Sequence, residues 1–147
     1  MIQTIRVVST ERQKKNEVLQ KVRVYRLEGV DEKKAKVLAE KLFCESVNQR
    51  YTLNAPIIKN KKAQIEIAYL PGVMNPESAS ILKSAKDLGI TLLAVDSSWE
   101  YHFSTSLKGG AVATAKRLRL FNSSIEHVVE DAPESLLIQG KDRKSVV

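Results

Sequence analysis

The stretch Gln64-Ile65-Glu66-Ile67-Ala68-Tyr69-Leu70-Pro71-Gly72, followed by Asn75-Pro76, decides how the chain is built. Ile65, Ile67 and Tyr69 alternate with Gln64, Glu66 and Ala68, so residues 64–70 predict a half-buried strand. Pro71-Gly72 breaks it. Asn75 then stands as N-cap of a helix, with Pro76 in the first helical position, where its missing N–H costs nothing. Ile81, Leu82, Ala85 and Leu88 recur at helical spacing and mark the buried face, and Gly89 is the expected stop. A long strand over 91–103 follows, bent near 96–98, in which Trp99, Tyr101 and Phe103 alternate with Glu100 and His102. Gly109-Gly110 opens a third helix over 111–121 that buries Val112, Ala115 and Leu118. A last strand covers 125–130, and 131–147 is an extended tail with 136–138 docked.

Toward the N-terminus the pattern is less regular. Residues 2–9 read as a strand, 11–16 as a short helix or a loop, and 21–28 as a second strand ended by Gly29. Asp31 caps a helix running to about residue 45. Its face is Ala35, Leu38, Ala39 and Leu42, extended by Phe43 and Cys44. Residues 47–53 make a short strand, and 54–62, with Pro56, a linker loop. The order β-β-α-β-β-α-β-α-β predicts an α+β fold, a ferredoxin-like antiparallel sheet with helices on one face. The segment 38–53 is echoed by 115–130, at an offset of 77 between Tyr51 and Val128. This predicts one domain, 1–147, made of pseudo-repeats over about 1–60 and 61–131 with a tail over 132–147.

The composition suits a single folded domain: 147 residues, 43% hydrophobic and 28% charged. No run approaches the roughly 18–20 apolar residues of a membrane span. The first residues carry no signal-peptide pattern, so a soluble, cytoplasmic protein with no membrane partner is expected. One cysteine, Cys44, makes neither an internal disulfide nor a metal cluster. Net charge is +7. It is concentrated in residues 1–62, which hold 15 basic and 7 acidic residues against 9 and 10 in the remainder. A basic face attracts acidic partners, phosphorylated ligands or nucleic acid, and equally keeps a protein dissolved.

No catalytic constellation emerges. His102 and His127 lie far apart and form no metal set with Cys44, whose apolar neighbours suit an inert thiol. Lys108-Gly109-Gly110 precedes a helix but lacks the Gly-Lys-Ser/Thr ending of a phosphate loop. Asp31, Glu32 and Asp87 read as capping and surface groups. The Trp99, Tyr101 and Phe103 stripe could stack bases, but the glycine-aromatic signature of RNA-recognition sheets is absent, and core or interface packing is expected.

Tyr69-Leu70-Pro71-Gly72-Val73-Met74-Asn75-Pro76-Glu77-Ser78, then Ile81 to Leu88-Gly89-Ile90, resembles the PurS-type small subunit of phosphoribosylformylglycinamidine synthase. Leu120-Phe121-Asn122-Ser123-Ser124-Ile125-Glu126 is similar to a second segment of that family. Asn75 and Ser78 stand where the family usually has Asp and Gly, and Ser123 where it has Pro. Residues 62–130 resemble one whole unit and 22–53 the back half of another, which accounts for the echo.

The resemblance implies a non-catalytic bridging component of an ATP- and glutamine-dependent ligase of purine synthesis. Such a component supports assembly of the glutaminase and synthetase parts and ammonia transfer between them. It implies no cofactor in this chain, since ATP and Mg belong to the synthetase part. Partner contacts are expected at Gly72, Asn75, Pro76, Asn122 and Ser123. Nucleic acid is disfavoured as a partner, and homo-oligomerisation stays open. The alternative is a stand-alone ferredoxin-like module that senses a ligand or binds nucleic acid.

Overall fold

Alternating apolar residues need a sheet with a covered face, and six strands lie among the described residues. The computed structural model describes residues 2–10, 18–58, 63–70, 72–104, 106–107 and 109–129, with backbone alone at 18 and 19. Strands β1 (Ile2–Ser9) and β2 (Val18–Glu28) are followed by helix α1 (Glu32–Leu38), which continues as a π-helical turn, Ala39–Phe43. Then come β3 (Gln49–Leu53), β4 (Ala63–Tyr69), α2 (Ser78–Asp87), β5 (Ala94–Phe103), α3 (Ala111–Arg117) and β6 (Glu126–Val128). All strand pairings are antiparallel, in the order β3-β1-β2-β5-β4-β6. The fold is α+β, compatible with the ferredoxin-like class.

The strand order is a palindrome about the β2–β5 seam, where Glu28 pairs with Ala94 at one end and Val18 with Phe103 at the other. The 77-residue offset reappears in hydrogen bonds. Glu45 N–H donates to Gln49 Oε1 at 2.9 Å, and Asn122 N–H to Glu126 Oε1 at 2.9 Å. Gln49 N–H donates to the Glu45 carbonyl, and Glu126 N–H to that of Asn122. Each pair of turns thus hands its helix into the following strand in the same way.

Odd-numbered residues of β1 to β5 face the helices. Ile5, Val7, Leu27 and Val95 pack with Ala35 and Leu38 of α1, Phe43 of the π turn, and Ile81 and Ala85 of α2. Tyr25 stacks on Phe43 with ring centroids 4.2 Å apart. Ile65, Ile67 and Phe103 pack with Ala115 of α3. Such burial drives the fold, at about 25 cal/mol per Å² of apolar area removed from water. Even-numbered residues form the reverse face. There Val8, Val22 and Val24 are covered by Ile57 and Ile58.

Two residues fix the first crossover. Asp31 caps α1, its carboxylate accepting from Lys34 N–H at 2.9 Å. Gly29 ends β2 at φ +99°, and a Cβ there would come within 2.7 Å of Leu93.

The structure departs from the sequence reading at several points. The strand over 91–103 starts at Ala94 and is not bent at 96–98, because Asp96, Ser97 and Ser98 pair in unbroken register with β2. Helix α2 begins at Ser78 rather than at Pro76: residues 76–77 form a turn, in which Asn75 Oδ1 accepts from Glu77 N–H while its Nδ2 is turned inward. Leu88 and Val112 are exposed: Leu88 is the C-cap residue of α2, and α3 buries Thr114 and Ala115 instead of Val112. The loop over 54–62 is no plain linker: Ile57 and Ile58 are buried on the reverse face. Residues 46–48 form a turn, so β3 starts at Gln49. The segment 11–16, Pro71, Lys108 and the tail over 131–147 lie outside the described residues.

Candidate partner interface

Register brings the two resemblance motifs to one end of the sheet. Tyr69 pairs with Glu126, and Leu70 N–H donates to the Ile125 carbonyl at 2.7 Å. The turn leaving β4 therefore lies beside the turn entering β6. Gly72 and Pro76 are exposed on the first, Asn122 and Ser123 on the second. Each turn also carries one solvent-facing apolar side chain, Met74 at 86% exposure on the first and Ile125 at 41% on the second.

Asn75 does different work from its neighbours. It is 7% exposed. Its Nδ2 donates to Asp96 Oδ1 at 2.9 Å and to Ser97 Oγ at 2.8 Å, while its Oδ1 accepts from Glu77 N–H at 2.9 Å. Asn75 thus pins the turn to β5 from inside. Asn122 makes the same kind of local turn, its Oδ1 accepting from Ser124 N–H at 3.0 Å, but remains at the surface. Of the five expected contact residues, the structure exposes four and buries Asn75.

The aromatic stripe divides. Phe103 is fully buried among the α3 contacts, whereas Trp99 and Tyr101 are half-buried. Basic residues from the first half of the chain come to lie on them, because β2 pairs with β5. Lys21 Nζ sits 3.9 Å from the Trp99 ring centre and 5.6 Å from that of Tyr101, and the Arg23 guanidinium 4.7 Å from Trp99. Such cation–ring contacts contribute about 0.5–1 kcal/mol at exposed sites. Arg23 also bonds Glu77 and, at 2.8 Å, Ser97 Oγ, which ties this cluster to the Asn75 turn. Burial and the Arg23 charge push the Lys21 amine below its ordinary value, and the field of Glu126 only partly opposes them. The sequence reading missed this cluster, because 78 positions separate Lys21 from Trp99. Only the strand register joins them.

The reverse face holds charge. Arg26 pairs with both oxygens of Glu66, whose carboxylate also accepts from Ser98 Oγ at 2.7 Å. Burial lowers the Arg26 value, but the Glu66 bond and charge outweigh it and hold the guanidinium above its ordinary value. Arg6 Nε donates to Glu100 Oε2 at 3.0 Å, and His102 Nε2 lies 3.0 Å from Glu100 Oε1. Burial pushes Glu100 up, yet the His102 bond and the Arg6 charge prevail, and its carboxyl sits below the usual range. With Glu100 ionised, the His102 proton belongs on Nε2, which leaves Nδ1 without a partner among the described residues. A cavity of about 330 Å³ opens beside these groups, lined by Arg6, Arg26, Gln64, Glu66, Glu100 and Val129.

Among the described residues, no group of three His, Cys, Asp or Glu side chains is arranged to hold a metal ion. No described helix is long and apolar enough to cross a membrane. Cys44 is half-buried, and burial pushes its thiol up, away from the nucleophilic form. No family model, curated protein or solved structure matches the chain.

Proposed function

We propose that the chain is a non-catalytic bridging component of a phosphoribosylformylglycinamidine synthase, supporting contact between the glutaminase and synthetase parts and ammonia transfer between them. One observation carries the reading. The two segments that resemble the PurS-type subunit lie side by side at one end of the sheet and display Met74 and Ile125 outward. The order β4-α2-β5-α3-β6 supports the reading, because the first resembling segment runs from a strand into a helix and the second from a helix into a strand.

The test is reconstitution. Glutamine-dependent amidine formation by the separate synthetase and glutaminase parts should require this chain, and ammonia-dependent activity should not. Met74→Asp with Ile125→Asp should abolish that requirement's fulfilment while leaving circular dichroism unchanged. Equal activity with and without the chain, and no complex on a sizing column, would reject the reading.

A second reading is favoured by the reverse-face cavity with its two guanidinium–carboxylate pairs. There the chain is a stand-alone sensor of a polar small molecule. Purine nucleotides or amino acids would then raise the melting temperature of the chain alone.

A further inference from the structure

The β4–β5 register sets Glu66 directly opposite Glu100 on the reverse face, a placement that like charges oppose. Each carboxylate is held by an arginine from the first two strands, Glu100 by Arg6 and Glu66 by Arg26. All four charged groups line the same cavity. Its volume of about 330 Å³ has room for a molecule the size of one heterocycle, at the small end of the roughly 300–1,000 Å³ of ligand pockets. Its lining includes none of Gly72, Asn75, Pro76, Asn122 and Ser123.

The bonds already made decide what the walls can still offer. Arg6 uses Nε for Glu100 and Nη1 for the Ala55 carbonyl, so its Nη2 has no partner among the described residues. Arg26 uses both terminal nitrogens for Glu66. His102, 1% exposed, and Arg6 hold Glu100 in its ionised form, which can only accept. Two guanidiniums are thus matched by two carboxylates, and the cavity has no net charge to offer an ion.

We propose that this cavity binds an uncharged heterocyclic lactam, whose ring C=O accepts from Arg6 Nη2 and whose adjacent ring N–H donates to Glu100. A lactam sets an acceptor beside a donor, which complements a guanidinium N–H beside a carboxylate oxygen. The apolar side chains of Ile65 and Val128 in the lining suit the faces of a ring. An anion fits less well, because it would have to part Glu66 or Glu100 from its arginine and strand a carboxylate. A zwitterionic amino acid would have to open a pair at each end. This occupant rests on the sensor reading above and is independent of the purine-synthase reading, whose own test lies at Met74 and Ile125.

Hypoxanthine, a lactam uncharged at neutral pH, would be titrated into the whole chain by isothermal calorimetry, beside glycine as the zwitterion and inorganic phosphate as the anion. Saturable binding of hypoxanthine alone is expected. Arg6→Lys keeps the charge against Glu100 but removes Nη2, and should weaken binding about tenfold. Gln64→Trp, at an exposed position of the lining, should abolish binding by filling the cavity while circular dichroism stays unchanged. If Arg6→Lys does not fold, Gln64→Trp decides alone. Lys83→Ala on α2 should leave binding as it is. Binding of glycine or phosphate but not of hypoxanthine would overturn the lactam and keep the sensor reading, whereas binding of none of the three would overturn both. Hypoxanthine binding that survives Gln64→Trp undiminished would overturn the site. A short oligoinosine offers the same edge from a strand, and tighter binding of it than of hypoxanthine would overturn the free molecule as the ligand.

Discussion

The two faces of the sheet bury comparable positions with opposite chemistry. On the helix face, Leu27, Leu38, Ile5 and Ala85 are sealed by packing alone. On the reverse face, valines and two loop isoleucines share the space with Arg26, Glu66, Glu100 and His102. The first arrangement tolerates any apolar group of about the right volume. The second tolerates only groups that keep their partners, since a buried charge left alone is far costlier than a lost contact. Stability on one face is therefore distributed, and on the other it is conditional.

That contrast is sharpest under mutation. Leu27→Ala, which empties a fully buried site, should cost about 2–5 kcal/mol in urea unfolding. Glu100→Gln should cost about 3 kcal/mol, because it leaves Arg6 and His102 without their shared carboxylate. Its pH dependence separates it from a packing effect. The folded-state value of Glu100 lies below the ordinary 4.5, so its contribution is present above that value and is lost as pH falls through the folded one. The gap between wild type and Glu100→Gln should be full at neutral pH and close in acid, whereas the Leu27→Ala gap should persist. A constant Glu100→Gln gap down to strong acid would refute the ionic account.

The Arg26–Glu66 pair gives the next test. Arg26→Met with Glu66→Leu should cost less than Arg26→Met alone, because the single change strands a carboxylate. If the double variant is the worse of the two, the reverse face relies on net ionic attraction rather than on mutual satisfaction. Lys83→Ala, which breaks the exposed pair between Lys83 and Asp87 on α2, should change stability by no more than about 0.5 kcal/mol.

The helix face was largely legible in the sequence, because its signals are local. The alternation of Ile65, Ile67 and Tyr69, the spacing of Ala35, Leu38 and Ala39, and the Asp31 cap each act within a few residues. The reverse face was not, because its partners meet only through strand order. Arg26 and Glu66 are forty positions apart on β2 and β4, and β5 lies between them. Ile57 and Ile58 sit in a polar, proline-containing stretch with no periodicity to betray their burial. At the candidate interface, the turn residues were readable as turn formers. The inward anchoring of Asn75 was not, since it depends on Asp96 and Ser97 of a later strand.

The β2–β5 seam has a consequence for how the chain is made. β2 is central in the sheet, with β1 on one side and β5 on the other. Its first neighbour is already synthesised when β2 leaves the ribosome, but its second ends only at Phe103. For the synthesis of some seventy-five residues, a strand carrying Val22, Val24 and Leu27 has one open edge in the nascent chain. Open apolar edges recruit other chains, and distant pairings form slowly. The charges along that strand, Lys21, Arg23 and Arg26, then act as temporary gatekeepers during translation, before the folded sheet gives them partners.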